Sequence, residues 1–202
     1  MKTPGNRPPT TDPAGLRLIV RRSGAIQLDI LERAVEPWLE LIMLELGRVV
    51  TALDARDGEA AAGILKRVCS VQRHLVSQLE ILETLDAETQ APDHGSHDCA
   101  EWTVLRELVR ICREQLWPSY ERFLASRSVT LWTIYEDESN HPLELRLGEG
   151  LATFDRSFQR WRTRWRALQR SLGGQFLQGT HLYETSESWP PFFPALWNAR
   201  AQ

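Results

Sequence analysis

Histidine, cysteine and aspartate side chains are concentrated in one short segment of this sequence. His94, His97 and Cys99 form an H-x-x-H-x-C pattern, and Asp93 and Asp98 lie beside it. Imidazole, thiolate and carboxylate groups are ligands of zinc, but a structural zinc site commonly takes four ligands from two paired motifs. The sequence shows no second half of such a motif. We therefore predict no metal site here, and the segment remains a candidate that lacks part of its ligand set.

Six arginines fall between Arg156 and Arg170. They alternate with apolar residues, a pattern typical of the solvated face of an amphipathic helix. The whole chain carries a net charge of -3, which gives no general attraction to a phosphate backbone. We therefore expect these arginines to face solvent, and we expect no nucleic-acid partner.

Composition places the chain among globular domains. With 202 residues, 42% of them apolar, one domain can bury a substantial core. Cys69, Cys99 and Cys112 are odd in number and irregularly spaced, so no disulfide framework is predicted and a reducing cytoplasm fits best. No apolar run approaches the roughly 18 residues of a membrane span, and the first residues lack the apolar segment of a signal peptide. We expect a cytoplasmic protein without membrane contact.

The first residues differ from the rest of the chain. Residues 1–15 contain four prolines and two glycines and predict a flexible arm. Residues 15–29 fit a short strand or an extended lead-in. Residues 16–202 are predicted to form a single helical domain.

Helical periodicity dominates the chain after residue 28. It predicts four long helices, over about residues 28–53, 57–85, 100–124 and 147–172, with Asp57 as an N-cap. Pro37 and Pro118 are expected to kink or break the first and third helices. The tail, with Phe192, Phe193 and Trp197, is too apolar for a solvated end and is expected to pack on the core. The expected fold class is an all-α helical bundle.

Specific motifs occupy the fourth predicted helix and the tail. The sequence reads FQRWRTRWRALQRSLGG, then Gly179 and Thr180, then FFPALWNAR. It resembles the tryptophan 2,3-dioxygenase family, whose pattern has a Trp-Arg pair, a haem-ligating histidine four residues after that Trp, a Gly-Thr-rich loop and a final Phe-Pro-x-Leu-Trp-x-x-Arg. The resemblance extends through YEDESNHPLELRLGEGLATFDRSFQRWR, WLELIMLELGRVV and VQRHLVSQLEILETL, and so covers most of the chain. It implies the helical bundle of that family.

The sequence differs from the family at the two positions where the family has its haem-pocket histidines. Four residues after Trp161 stands Trp165, an indole where the family has its proximal imidazole. An indole nitrogen is a donor only and does not ligate iron. Glu36 and Trp38 align with the family's Glu-Leu-Trp, which puts Glu32 where the distal histidine would lie. The resemblance therefore implies a member without the usual haem ligation, and no cofactor is expected.

The resemblance also implies substrate-contacting residues at other positions. Arg106 falls on the arginine that holds the substrate carboxylate, and Thr180 falls on the threonine that contacts the amino-acid end of the substrate. The glycine-serine run after Gly-Thr is replaced by HLYE, so the loop is expected to behave differently. Trp165 is either a core residue filling the haem space or, with Trp102, a wall of a reshaped pocket. Glu32 is either a solvated helix residue or, if buried, a general acid or base.

Three functions stay open at this point. The first is a repurposed enzyme acting on an indole or another aromatic carboxylate in specialised, natural-product metabolism, with Glu32 handling a proton and Arg106 holding the acid. The second is a haem-dependent oxygenase ligated unconventionally through His74, His97 or Cys99. The third is a non-catalytic subunit that pairs with another family member. The resemblance also implies a homo-oligomer, a dimer or a tetramer, because the family assembles through long helices.

Overall fold

The computed structural model describes the backbone of residues 13–82, 100–173 and 190–201, and the side chains within 33–80, 104–168 and 190–201. No strand occurs in these residues, so the predicted all-α class is confirmed. The elements are α1 (Pro13–Asp54), α2 (Gly58–Leu82), α3 (Ala100–Arg110), a π-helical segment (Ile111–Leu116), α4 (Trp117–Ser126), α5 (Leu131–Glu136), α6 (Pro142–Gly173) and α7 (Pro194–Arg200).

The first helix is longer than its periodicity predicts. α1 begins at Pro13 and continues through residues 15–29, so the predicted strand or extended lead-in there is wrong, as is the end of the predicted arm at residue 15. A short apolar run such as LRLIV fits a strand or a helix equally well until its neighbours are known. Proline is favoured in a first helical turn, which suits Pro13. Pro37 lies inside α1, and no new segment begins there.

The third predicted helix is divided into three pieces around Pro118. α3 ends at Arg110, the π-helical segment follows, and α4 carries Pro118 in its first turn. Proline lacks an N–H and its ring clashes with the carbonyl four residues earlier in a regular α-helix. At the end of the π-helical segment the N–H of Trp117, the first residue of α4, donates to the Cys112 carbonyl, five residues back. The predicted break at Pro118 therefore takes the form of a π-helical turn.

Two helices begin at a residue whose side chain accepts a hydrogen bond from a backbone N–H of the first turn. The Asp57 carboxylate accepts from the Ala60 N–H at 3.0 Å, which confirms its predicted N-cap role for α2. The hydroxyl of Thr130 accepts from the Thr133 N–H at 3.1 Å and caps α5. The sequence analysis did not predict α5, because a six-residue helix is too short to show a helical period.

Contacts between helices establish their directions. α1 is antiparallel to α2, and α2 is parallel to α6. The contacts that show this are Trp38 with His74, Glu45 with Arg67, Glu59 with Arg146, and Glu80 with Arg164. The rod from α3 to α4 runs opposite to α6, because Tyr120 donates to the Glu144 carbonyl near the start of α6 and Cys112 lies in the field of Asp155 further along it. The four long elements thus form an up-down-up-down bundle.

The apolar stripe of α6 is buried, as its spacing predicts. Its members are Leu147, Leu151, Phe154, Phe158, Trp161, Trp165 and Leu168. Phe192 and Phe193 before α7, and Leu196 within it, are buried as well, which confirms that the tail packs on the core. Cys69 and Cys112 are free thiols. Within the described residues, no helix is long and apolar enough to cross a membrane.

Candidate functional site

The bundle topology brings four of the five predicted site residues to the same end. Antiparallel register with α2 puts Glu32 of α1 level with the last turn of α2. Trp102 and Arg106 lie in the first turns of α3, and Trp165 lies in the last third of α6. We call this end of the bundle the α3 end. Thr180 lies outside the described residues, as do the side chains of Glu32 and Trp102.

Trp165 and Arg106 have opposite environments. Trp165 is 2% exposed, so the interpretation of this residue as a core aromatic is confirmed. Arg106 is exposed on α3. Of the two, only Trp165 therefore lies inside the bundle.

Trp165 belongs to a line of aromatic side chains that contact one another. Its ring lies 5.7 Å from that of Trp161, with 14° between the ring planes. Trp161 in turn lies 5.6 Å from Phe158, which contacts Phe192 from the tail at 5.0 Å. Residues three and four apart on a helix share a face, so α6 itself sets this arrangement. The line joins the tail to the α3 end through the centre of the bundle.

The two indoles carry polar groups that have no partner among the described residues. Within the described part of the chain, the Nε1 atoms of Trp161 and Trp165 are buried and have no hydrogen-bond partner. The Oε1 atoms of Gln72 and Gln78 on α2 are likewise buried without a partner, although the Gln72 amide donates to the Phe154 carbonyl at 3.0 Å. Each unsatisfied buried polar group costs about 1–3 kcal/mol, and native proteins contain few of them. These atoms are therefore candidates for contact with a ligand.

The arginine run does not lie wholly in solvent, contrary to the sequence prediction. Arg156 and Arg160 are exposed, but Arg162 is only 5% exposed. Arg162 lies four residues after Phe158, on the edge of the buried stripe, and α6 packs against both α2 and the tail, so its buried face is wider than one stripe. Burial, with the like charge of Arg166, lowers the pKa of the Arg162 guanidinium to about 9. A cationic group of α6 therefore lies in a water-poor place.

Asp155 is a second buried charged group that sequence reasoning missed. It is fully buried, and its carboxylate accepts from the Trp197 indole at 2.9 Å and from the Phe193 N–H at 3.4 Å. Asp155 and Arg162 are seven residues apart and share a face of α6. The sequence offers one signal for these residues, the seven-residue spacing of two polar side chains beside the apolar stripe. That spacing does not show whether either side chain is buried.

A polar cluster at the opposite end of the bundle has a structural role. The Glu149 carboxylate accepts from the Tyr135 hydroxyl at 3.0 Å and pairs with Arg200 at 2.8 Å. Burial and the negative charge of Glu149 raise the pKa of Tyr135. The cluster joins α5, α6 and α7, and so helps to hold the tail in place.

The residues at the α3 end do not fit the haem ligation of the tryptophan 2,3-dioxygenase family. The position that the resemblance assigns to the proximal ligand holds the Trp165 indole, which is stacked on Trp161 and has no lone pair to donate. His74 is exposed, and its ring packs against Trp38. The described residues contain no group of three histidine, cysteine or acidic side chains that would hold a metal. His97 and Cys99, the other proposed ligands, lie outside the described residues, as does His94.

Comparison with known proteins found no match, either to a protein-family model or to a curated protein. The described residues show the helical class directly. The family resemblance stands on the motifs of α6 and the tail, and it remains a prediction.

Proposed function

We propose that this chain is a divergent relative of the tryptophan 2,3-dioxygenase family that binds an indole or another aromatic carboxylate without the family's haem ligation. In this proposal it is a cytoplasmic, homo-oligomeric enzyme of specialised metabolism. The observation that carries the proposal is the Trp161–Trp165 pair, which is buried and stacked and has two unsatisfied N–H groups at the position where the resemblance would place the haem.

The chemistry of the α3 end supports an aromatic acid as the ligand. Stacked indoles favour flat, apolar ring systems, and aromatic pairs add about 0.5–1.5 kcal/mol beyond their buried area. The indole N–H groups are donors and the Oε1 atoms of Gln72 and Gln78 are acceptors, which suits a ligand that carries both kinds of hydrogen-bonding group. Small-molecule sites commonly combine an apolar lining with a few convergent polar groups of this kind.

The resemblance supplies the remaining roles in the proposal. Glu32, on the turn of α1 that reaches the α3 end, handles a proton of the substrate. Trp102 on α3 shapes the apolar part of the pocket together with Trp165. Thr180 contributes a hydroxyl to the polar end of the ligand.

Two measurements on the wild-type protein test this function. Thermal stability is measured with L-tryptophan, indole-3-acetate and benzoate, and with acetate as the non-aromatic control. Ligands that bind only the folded state raise the melting temperature, so the aromatic acids are expected to stabilise the protein and acetate is not. If no aromatic acid stabilises the protein more than acetate does, the proposed ligand class is wrong.

The second measurement is an absorption spectrum of protein expressed with ample haem precursor. We expect no Soret band after desalting, because the described residues at the proximal position offer no iron ligand. A strong band with stoichiometric iron would instead favour unconventional haem ligation through His97, Cys99 or His74. Co-purification of a related chain in fixed ratio, without aromatic-acid binding, would favour a non-catalytic subunit.

A further inference from the structure

The face of α1 that points away from the bundle carries an exposed leucine. Leu44 is 60% exposed, although the opposite face of the helix is buried. A Cβ added at Gly47, three residues further along, would have nothing within 4 Å. Other residues four or seven positions from Leu44 share its face and are exposed, namely Pro37, Glu40, Arg48 and Thr51. The described residues therefore leave this face of α1 uncovered.

The exposed face carries opposite charges at equal distances from Leu44. Glu40 lies four residues before Leu44, and Arg48 lies four residues after it. Residues four apart on an α-helix form a surface row, and such rows lie side by side in the commonest class of helix packing. When two copies of α1 meet antiparallel about a two-fold axis at Leu44, Glu40 of each copy lies opposite Arg48 of the other. The row is therefore self-complementary in charge, as an isologous interface requires.

Both charged groups of the row are accessible to a second copy. Arg48 donates through one nitrogen to Glu45 of its own helix at 2.7 Å. A guanidinium has five N–H groups and this side chain is 61% exposed, so donors remain for a second carboxylate. Glu40 is exposed as well. A parallel pair of helices is disfavoured, because it sets equal charges against each other at both positions.

We infer that this face of α1 is the contact between two copies of the chain, arranged antiparallel with Leu44 at the two-fold axis and two Glu40–Arg48 pairs across it. One helix face from each copy is smaller than the about 800 Å² per partner of a standard interface, so the dimer is expected to dissociate on dilution. The inference rests on the proposed function for the homo-oligomeric state, and it is independent of the aromatic ligand.

The first test measures the oligomeric state by sedimentation velocity over a wide range of concentrations. The wild type is expected to change from monomer to dimer as the concentration rises. Leu44→Glu is expected to stay monomeric, because it sets two carboxylates together at the axis, and to keep its fold, because the position is exposed in the single chain. Trp132→Glu replaces the other large apolar residue that is exposed among the described ones, and it should dimerise as the wild type does.

The second test exchanges the charges. Glu40→Arg and Arg48→Glu each set like charges opposite each other, so each variant alone is expected to dimerise about tenfold more weakly, the equivalent of about 1.4 kcal/mol. An equal mixture of the two variants restores opposite charges across the axis and should dimerise as the wild type does. Glu121→Arg, at an exposed position of α4, controls for the change in net charge and should dimerise normally. If the mixture is as weak as either variant, the antiparallel pairing is wrong.

The outcomes separate this contact from the proposed function. A wild-type chain that stays monomeric at its highest soluble concentration overturns the contact and the oligomeric state, while thermal stabilisation by aromatic acids still tests the ligand. If Leu44→Glu dimerises like the wild type, the contact alone is overturned and the oligomer forms through another face. If Arg48→Glu fails to fold, the comparison of Leu44→Glu with Trp132→Glu still decides, since both replace exposed side chains.

Discussion

Asp155 shows how one buried residue can organise the end of the chain. Its carboxylate has no exposed surface and receives hydrogen bonds from the Trp197 indole and the Phe193 backbone. The guanidinium groups of Arg156 and Arg200 lie over the Trp197 ring, each 5.3 Å from its centroid. The buried acceptor and Arg156, both on α6, hold Trp197 of α7 against that helix, while Arg200 covers the same ring from within α7. A buried carboxylate is costly unless donors compensate it, so these contacts depend on one another.

Replacing Asp155 with Asn is expected to lower the free energy of unfolding by about 1–3 kcal/mol, because the new NH₂ group faces donors and leaves at least one of them unsatisfied. Urea unfolding followed by circular dichroism measures the change. Thr153→Ala, at an exposed position on the same helix, is the control and should change little. Equal stability of Asp155→Asn and the wild type would show that the carboxylate does not anchor the tail.

At the scale of the elements, α2 meets its neighbours through a glycine. A Cβ added at Gly58 would lie 2.7 Å from the Phe123 ring of α4 and 2.9 Å from Leu143 of α6. Gly63, on the same helix, has nothing within 4 Å of such a Cβ. The absence of a side chain at Gly58 thus sets how closely the start of α2 approaches α4 and α6.

Alanine substitutions at these two glycines are expected to have opposite effects. Gly58→Ala should destabilise the protein by about 1–3 kcal/mol, because a rigid aromatic ring has to move. Gly63→Ala should stabilise it by up to about 1 kcal/mol, since alanine favours a helix interior more than glycine does. Thermal and urea unfolding of the two variants measure the difference. Stabilisation by both alanines would contradict the close packing at Gly58.

Glu45 links α1 to α2 and makes this contact sensitive to pH. Burial by itself raises the pKa of the Glu45 carboxyl, but hydrogen bonds from Arg67 and Arg48 outweigh burial, so the pKa is lowered. A carboxyl with a lowered pKa in the folded state stabilises the protein at pH values above its unfolded pKa. That contribution is lost as the pH falls through the folded pKa.

The pH dependence of Glu45→Gln tests this link. The variant should be less stable than the wild type near neutral pH, by under about 1 kcal/mol because both arginines are largely exposed. The difference should shrink as the pH falls below 4.5, the ordinary value for this carboxyl. Urea unfolding at a series of pH values provides the measurement. A stability difference that stays constant down to strongly acidic pH would rule out the ion pair as its cause.

At the scale of the whole molecule, the bundle is completed by the last residues of the chain. Phe192, Phe193 and Leu196 are at most 2% exposed, and Phe192 stacks on Phe154 of α6 and lies tilted against Phe158. Phe193 stacks on Trp117 of α4 at 5.6 Å. The tail therefore lies between α6 and the rod formed by α3 and α4, and it closes the core.

Removal of residues 190–202 is expected to unfold the protein or nearly so. Burying one large apolar side chain contributes about 1.5–3 kcal/mol, so losing three approaches the whole stability of a typical domain, about 5–15 kcal/mol. Circular dichroism melting curves of the truncated and full-length chains measure the effect. Deletion of residues 1–12 is the comparison and should leave the melting transition in place. A truncated chain that melts at the wild-type temperature would contradict this role of the tail.

The sequence by itself determined the helical class, the buried stripe of α6, the Asp57 cap and the packing of the apolar tail. Each of these follows from local spacing or composition, because a helix repeats every 3.6 residues and a cap acts within one turn. The place of Trp165, four residues after Trp161, was also visible, since it depends only on counting residues.

Only the tertiary structure decided which polar residues of α6 are buried. Arg162 and Asp155 look like solvated helix residues in the sequence, yet both are buried in the folded chain. The extent of α1 and the π-helical turn before Pro118 were decided in the same way. Burial depends on what packs against a helix from other parts of the chain, and the period of a single helix does not contain that information.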